Sequence, residues 1–432
     1  RALPLFESIN RGCWRDPRLT LRYGDGRAQL LVSRARYDVI ISEPSNPWMS
    51  GPSRLFTREF YALAKRRLAT DGIFCQWLQL YRLTTGDLLM ELRTFLSEFP
   101  NASLWVTSLG DTLLIAGPKW LTPNYRQFQS RLGRGRALGD LRRIRMGTPE
   151  AVLARCVLWG EDLRRAAGQG PLNTDEFPRL EYGAIRALYD ENASERHWML
   201  LCSWWQGLGP WLAGLPREPA EVEDSPGRAE GAWLRLSRAY AALGLATPAV
   251  QSAETALRIR PGSPWALNEL GYLSLLRGRA ATAARYLEDA VAHLGDVRGR
   301  QDEGTIQANL ADAYIRLDRR REARKVLEAA RRRAPRSALV PHNMGWLLFL
   351  EGDLPGAEAA FRRAIELSPE DPRPRVSWGR ILLERKDARA ALEKFLEAAA
   401  LAPELPEARM GIRRARALLD RRGRGDKTHI AK

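Results

Sequence analysis

The residues best placed to do chemistry lie in a polar loop, residues 42–51, that follows the short apolar run Val39 to Ile41. The loop carries two prolines and one carboxylate, Glu43, and a helical pattern starts close to Pro52. This order predicts a buried strand, a rigid loop and a helix. In an open α/β sheet, ligands bind in the crevice outside the carboxyl ends of the strands. The loop is therefore the first place to expect a site.

The elements that must position this loop alternate between strand and helix over residues 1–190. Apolar residues recur with a period of two in the strands and with a helical period in the helices. The predicted elements are a strand at 19–23, a helix from Ala28, the strand at 39–41, a helix at 53–68, a strand at 73–78, a helix at 85–99 capped by Thr84 or Thr85, and a hairpin of 102–107 with 112–116. This alternation predicts an α/β fold with a doubly wound sheet.

A glycine-rich turn, which lets the backbone approach a nucleotide, is expected early in such a fold. No Gly-x-Gly-x-x-Gly sequence precedes Asp25, and residue 1 is Arg. We therefore expect the chain to be an amino-terminally truncated part of a longer protein. A membrane segment could belong to the missing part.

Five short stretches between residues 25 and 182 form one further pattern. They are Asp25-Gly-Arg27, Tyr37-Asp-Val-Ile-Ile-Ser-Glu-Pro-Ser-Asn-Pro-Trp48, Leu55-Phe-Thr-Arg-Glu-Phe-Tyr61, Gly72-Ile-Phe-Cys-Gln-Trp77 and Leu172-Asn-Thr-Asp-Glu-Phe-Pro-Arg-Leu-Glu-Tyr182. In this order they resemble the spermidine synthase (polyamine aminopropyltransferase) family. They are most similar to its bacterial branch that is fused to a transporter-like membrane segment.

The resemblance implies a partial Rossmann-like domain of the methyltransferase type over residues 1–190, without its first strands and glycine loop. It implies decarboxylated S-adenosylmethionine as co-substrate, a polyamine as acceptor and no metal. Asp25 and Gly26 would contact the adenine, and Gln76 would lie beside the site. In the reaction an amine attacks the carbon next to a sulfonium. The amine must first be deprotonated, which a carboxylate can do.

The family places two aspartates three residues apart in the loop after this strand, and the matching positions here are Glu43 and Asn46. Glu43 keeps a carboxylate, one methylene longer, and is the expected base. Asn46 cannot ionise, which departs from the family pattern. Because the chain also lacks the glycine loop that positions the co-substrate, we expect this chain by itself to be inactive. Asp25 also has a simpler interpretation, because an Asp-Gly pair after a strand is an ordinary turn signal.

The composition argues against several classes of function. The chain has 432 residues and a formal net charge of +17, but the arginines are spread along it, as on solvated helix faces. The arginine-rich segment 118–170 lacks interleaved aromatic residues for base stacking, so no nucleic-acid partner is expected. The four cysteines and four histidines are scattered. That scatter argues against a metal site and favours a reducing, cytoplasmic compartment.

Residues 191–229 are predicted to be a tryptophan-rich linker. The run from His197 to Pro216 contains no Asp, Glu, Lys or Arg. Gln206, Pro210 and two glycines interrupt it, so we favour an amphipathic helix and turn that dock on neighbouring domains. The same interruptions argue against a membrane span, and an interfacial membrane contact is the alternative.

Residues 230–405 repeat a pattern with a period of 34, apart from one insertion near 296–303. The last three units each place small residues around one large residue and then a proline, as in Ala357, Phe361, Ala364 and Pro369. The first unit has Ala253 in place of the large residue, and the second, with Leu287, lacks the proline. This is the tetratricopeptide pattern. It predicts five repeats that start near residues 230, 264, 304, 338 and 372, then a capping helix at 406–420 and a basic tail at 421–432.

Stacked repeats of this kind form a superhelix, which predicts a protein or peptide partner on the concave face. The candidate lining residues are Asn268, Asn309, Asn343 and Arg375. Asparagines there could hold the backbone of an extended peptide, or they could be ordinary exposed polar positions.

The expected architecture is therefore an α/β domain followed by an all-α tetratricopeptide superhelix. The favoured hypothesis for function is aminopropyl transfer to a polyamine. The alternatives are a non-catalytic scaffold with a degenerate nucleotide-binding domain, and an S-adenosylmethionine-dependent methyltransferase on the same fold. The number of carboxylates in the loop separates the first two, and Asn46 favours the scaffold.

Overall fold

The computed structural model describes residues 3–47, 49, 51–108, 110–119, 123–134, 137–144, 146–183, 187, 189–205, 207–208, 212–222, 226–294, 301–403 and 405–429. The chain divides into two compact units, Arg1–Leu215 and Pro216–Lys432. No helix in the described ranges has the length and apolar character that crossing a bilayer requires.

Helices and strands alternate through most of the first unit. In chain order they are α1 (Glu7–Asn10), α2 (Gly26–Val32), β1 (Tyr37–Ser42), α3 (Arg58–Arg67), β2 (Leu68–Gln79), α4 (Thr85–Glu98), β3 (Ser103–Val106), β4 (Asp111–Ala116), α5 (Tyr125–Arg134), α6 (Ala137–Arg143), α7 (Pro149–Leu153), β5 (Cys156–Trp159), α8 (Gly160–Ala167), α9 (Arg179–Gly183) and α10 (Ala193–Trp204). Short 3-10 helices cover Leu3–Phe6, Cys13–Arg15 and Pro52–Phe56.

The strands form one five-stranded sheet in the order β1-β2-β4-β3-β5. β1 and β2 are parallel and are joined through α3, and the other neighbouring pairs are antiparallel. The α/β prediction and the hairpin of β3 with β4 are confirmed. Gly72 lies where the register of β2 shifts against β1. A Cβ there would come within 2.8 Å of the Tyr37 carbonyl oxygen, so the close approach of the two strands requires glycine.

Aromatic side chains of α3, β2 and α4 make the core beneath the parallel pair. Phe74 of β2 stacks on Phe95 of α4 and on Phe99, the residue that follows α4, with ring centroids 5.7 and 5.4 Å apart. Tyr61 of α3 meets Phe95 edge-on at 5.1 Å. These rings are fully buried. The crossover helix and α4 therefore pack on the same face of the sheet and fix where β1 ends.

Two predicted elements of this unit are wrong. Residues 19–23 form no strand, and Leu19, Leu21 and Tyr23 are exposed, because alternation of apolar residues makes a strand only where a neighbouring strand pairs with it. The predicted helix at 53–68 is divided into a 3-10 helix and α3. The division occurs because Thr57 is extended and caps α3, its hydroxyl accepting from Phe60 N.

The second unit is all-helical over its described residues. A 3-10 helix at Pro219–Glu221 precedes five helix pairs: α11 (Pro226–Ala242) with α12 (Ala246–Ile259), α13 (Pro264–Leu276) with α14 (Ala280–Ala292), α15 (Gln301–Arg316) with α16 (Arg320–Arg333), α17 (Leu339–Leu350) with α18 (Leu354–Leu367), and α19 (Arg373–Glu384) with α20 (Ala388–Leu401). A single helix, α21 (Pro406–His429), follows. It continues through most of the segment assigned to a basic tail.

In the fourth and fifth pairs, a large residue of the second helix packs against a glycine of the first. A Cβ on Gly345 of α17 would lie 2.8 Å from the Phe361 ring of α18, and one on Gly379 of α19 would lie 3.0 Å from the Phe395 ring of α20. Phe361 and Phe395 are fully buried. The alternation of small and large residues in the sequence therefore reflects how the two helices of a repeat pack against each other. The predicted superhelical class is confirmed.

Candidate functional site

The loop singled out from the sequence begins where β1 ends. Ser42 is the last residue of β1 and lies opposite Gln76 of β2 in the parallel ladder. Glu43 follows with an exposed side chain, and Asn46 is half-buried. Trp48 and Ser50 lie outside the described residues. The loop therefore sits at the carboxyl end of a parallel pair, the position at which α/β sheets bind ligands.

A cavity of about 410 Å³ opens between α2, the outer edge of β1 and the start of this loop. Its polar lining side chains are Gln29, Tyr37, Ser42 and Glu43. Its apolar walls come mainly from Leu30, Val39, Ile40, Ile41, Leu55 and Phe60. Such a cavity suits a ligand with a flat apolar part and a positive charge, because the apolar walls cover the first and Glu43 can meet the second.

Asp25 and Gly26 lie at the amino terminus of α2. One oxygen of the Asp25 carboxylate accepts from Ala28 N at 2.8 Å and caps the helix. That oxygen therefore has a local structural role, in keeping with the interpretation of Asp25-Gly26 as an ordinary turn signal. Gly26 lines the cavity, and a Cβ built on it would meet nothing within 4 Å. The glycine therefore leaves open space where a ligand could approach the backbone.

Gln76 is fully buried in β2. Its Nε2 donates to the Trp77 carbonyl at 3.0 Å, and its Oε1 has no hydrogen-bond partner among the described residues. A buried acceptor without a partner costs free energy, so such atoms call for an explanation. Gln76 is not one of the residues that line the cavity.

Asn46 takes part in a turn rather than in the cavity lining. Its backbone carbonyl accepts from Met49 N at 3.1 Å, and its side chain is absent from the lining residues. Of the five predicted site residues, the structure thus brings Gly26 and Glu43 to one cavity, while Asp25, Asn46 and Gln76 lie outside its lining. Sequence reasoning missed Gln29 and Tyr37, which lie on elements that it did identify.

Cys75 of β2 pairs with Ile41 of β1, next to this region. Burial raises the pKa of Cys75, and the negative charge of Glu43 raises it further. The thiol therefore stays protonated at neutral pH, which argues against Cys75 as a nucleophile.

The repeats were expected to offer polar residues on a concave face. Asn343 is buried and donates through Nδ2 to the Ala308 carbonyl at 2.7 Å. Asn309 donates through Nδ2 to Oδ1 of the buried Asn268 at 2.9 Å. These contacts join successive repeats. The asparagines are thus committed to internal hydrogen bonds, and the expectation that they are open to a peptide backbone needs this correction.

Comparison with known protein families agrees with both units. Residues 5–109 match the spermine/spermidine synthase domain, and residues 230–263 and 309–372 match tetratricopeptide repeats. The first unit thus contains a segment similar to spermidine synthases, and the second carries tetratricopeptide repeats, as the residue patterns indicated.

Curated relatives match the same segment. A spermidine synthase of Dictyostelium discoideum is 37% identical over 100 residues, which are 22% of this chain and 32% of that protein. A polyamine aminopropyltransferase of Nitrosomonas europaea is 30% identical over 113 residues, or 23% of this chain and 34% of that one. The chain spans about a third of the length of these relatives.

Among solved structures, a thermophilic TPR protein of Thermus thermophilus is similar to this chain. The two are 26% identical with a TM-score of 0.39, and the match covers 44% of this chain and 98% of that one.

Proposed function

We propose that the first unit supplies part of an aminopropyltransferase site. In this proposal, decarboxylated S-adenosylmethionine binds in the cavity beside β1 and an aminopropyl group passes to a polyamine. The observation that carries the proposal is the meeting of Gly26 and Glu43 at one cavity, at the carboxyl end of a parallel strand. The similarity of residues 5–109 to spermidine synthases supports it.

Each group has a role in this proposal. Gly26 leaves room for the nucleoside to approach the backbone, and the apolar walls shield its flat face from water. Glu43 attracts the cationic acceptor and takes a proton from its amine. The amine nitrogen then forms a bond to the carbon next to the sulfonium. The carbon–sulfur bond breaks, and its electron pair stays on the sulfur, which becomes a neutral thioether.

A single carboxylate in the loop is enough for this chemistry, although binding of the acceptor is expected to be weaker than with two. Asn46 can offer only a neutral oxygen to an ammonium group, and hydrogen bonds to charged acceptors are roughly twice as strong as neutral ones. We propose on this basis that Glu43 is the base and that Asn46 contributes little.

The test is calorimetry and a turnover assay on the full-length protein with decarboxylated S-adenosylmethionine and putrescine. Glu43→Gln is expected to lower turnover at least about 100-fold, the range over which general bases act, with nucleoside affinity largely kept. Glu161→Gln, which removes an exposed carboxylate of α8 that pairs with Arg164, is the matched control and should behave as wild type. Unchanged turnover in Glu43→Gln would rule Glu43 out as the base.

A second function, a scaffold built on the repeats, is favoured by the five helix pairs themselves, because stacked repeats present extended binding surfaces. In this second proposal a protein or peptide binds the array in the cytoplasm. If calorimetry detects no binding of decarboxylated S-adenosylmethionine or of putrescine, only this second function remains. Binding of S-adenosylmethionine in preference to its decarboxylated form would point to a methyltransferase instead.

A further inference from the structure

The segment at residues 172–182 supplies none of the residues that line the candidate cavity. It nevertheless forms side-chain hydrogen bonds with two segments that do supply them. One is the amino-terminal turn of α2, which contributes Gly26, and the other is the stretch 52–57, which contributes Leu55.

Asp175 is the centre of these contacts. Its Oδ1 accepts from Arg27 Nη1 at 2.8 Å and from the Thr57 hydroxyl at 2.8 Å, and its Oδ2 accepts from Arg27 Nη2. Arg27 Nη1 also donates to the Arg54 carbonyl at 3.0 Å. One carboxylate thus links the residue after Gly26 to the residue that caps α3.

Two further contacts hold the same stretch. The fully buried Asn173 donates through Nδ2 to the Phe56 carbonyl at 3.0 Å, and Glu181 accepts from the Ser53 hydroxyl at 2.9 Å. The segment is therefore hydrogen-bonded to residues 53–57 at three points. The side-chain contact with α2 that the described residues show is the pair of Asp175 with Arg27.

Hydrogen bonding to the Arg27 guanidinium lowers the pKa of Asp175 below its ordinary value, and the Thr57 hydroxyl acts in the same direction. The carboxylate is therefore charged at neutral pH. A two-point bond between a guanidinium and a carboxylate fixes orientation as well as distance.

We propose that Asp175 is a positioning residue for the candidate site, holding the Asp25–Gly26 turn at a set distance from residues 52–57. The cavity then keeps the width that a nucleoside requires. This inference rests on the proposed function for its ligand. Displacements of about 1 Å in a site are costly to binding and reaction, so a residue outside the cavity can control it.

The variant Asp175→Asn tests this, because asparagine keeps the shape and one acceptor for Thr57 but loses the charge and the second acceptor. We expect faster hydrogen–deuterium exchange of the amides at 26–30 and 53–58. We also expect binding of 5′-methylthioadenosine to weaken about tenfold or more, because a displacement of about 1 Å at the cavity walls is enough for such a loss. Exchange is followed by mass spectrometry and affinity by calorimetry on the full-length protein.

Asp190→Asn is the matched control. Asp190 also accepts two hydrogen bonds from an arginine, Arg196, but this pair joins neighbours at the start of α10. A residue with a purely structural role would lower the unfolding temperature and leave the affinity of the folded protein unchanged.

The outcomes separate the two proposals. If Asp175→Asn shows the same exchange rates and the same affinity as Asp190→Asn, the positioning role is overturned. Faster exchange in Asp175→Asn with unchanged affinity would overturn it as well. Failure of the wild-type protein to bind 5′-methylthioadenosine would instead remove the proposed function. The exchange measurement would then decide alone whether Asp175 holds the two segments together.

Discussion

The pKa of His342 in α17 shows how strongly packing can change the titration of one residue. Its Nε2 lies 2.8 Å from the Ser377 hydroxyl of α19, which also accepts from Trp346 Nε1 at 3.2 Å. Its ring packs beside Phe361, with centroids 5.8 Å apart. Burial lowers the pKa of His342 to about 4, and the positive charge of Arg373 adds to the effect. The neutral imidazole thus belongs to the junction of the fourth and fifth repeats.

This environment predicts that the repeats lose stability in mild acid. In the unfolded chain His342 takes up a proton below its ordinary pKa of 6.5, whereas in the folded chain it stays neutral down to a pKa of about 4. The free energy of unfolding should therefore fall as the pH drops through that window. Linkage puts the loss between pH 7 and pH 5 at about 2 kcal/mol.

Urea unfolding of the wild type and of His342→Gln at both pH values measures this contribution. The variant should lack it while keeping the losses that come from other groups. An equal pH dependence in the two proteins would show that His342 is not the source.

At the scale of elements, the two units are organised by different contacts. In the first unit a crossover helix and buried aromatic rings pack on the sheet, and the cavity lies between α2 and β1 beside the loop. In the second unit, the fourth and fifth helix pairs each pack one large residue of the second helix over a glycine of the first. Gly345 and Phe361 show the principle most clearly, because a Cβ on Gly345 would lie 2.8 to 3.0 Å from three atoms of the ring.

Gly345→Ala is therefore expected to destabilise the array, although alanine is the better helix former. Forcing a methyl group against a buried ring typically costs about 1–3 kcal/mol. Gly231→Ala in α11 is the control, since the atom that its Cβ would meet among the described residues is Nη1 at the far end of the long Arg235 side chain, at 3.3 Å. Helix propensity should make that variant more stable by about 0.5–1 kcal/mol.

Urea unfolding of both variants decides between these effects. A gain of stability in Gly345→Ala would show that the close packing against Phe361 does not limit the helix pair. Partial recovery in Gly345→Ala with Phe361→Leu would locate the strain at that contact.

At the scale of the whole molecule, two compact units share one chain, and the second ends in an additional helix. Phe395 of α20 lies under α21, where a Cβ on Gly411 would come within 2.4 Å of its ring. Ala408 and Ala415 of α21 are fully buried in the same cluster. This helix covers the apolar surface that the fifth repeat would otherwise expose, which is the role of a cap.

A fragment of residues 216–432 is expected to fold by itself, because its core is internal to the unit. Shortening it to 216–405 should lower its unfolding free energy and expose apolar surface. Circular dichroism and urea unfolding measure the first change, and binding of a hydrophobic dye measures the second. Equal stability of the two fragments would show that α21 is not a cap.

Much of the molecule follows from local pattern. The hairpin, the cap of α4 by Thr84 and the helix pairs of the repeats depend on neighbours in sequence or on a regular period, so they could be predicted. The strand at 19–23 could not be judged in the same way, because a strand exists only if another strand is there to pair with it.

The sequence by itself determined the α/β unit, the repeats and the loop at the end of β1, because apolar periodicity, turn residues and small-and-large alternation act over short distances. Only the tertiary structure decided that Gly26 and Glu43 share a cavity while Asn46 does not line it. It also showed that Asp175 reaches Arg27 and Thr57, which are 148 and 118 residues away. These contacts depend on where the sheet and its crossover helix bring segments that are distant in sequence. The spacing of neighbouring residues does not determine that placement.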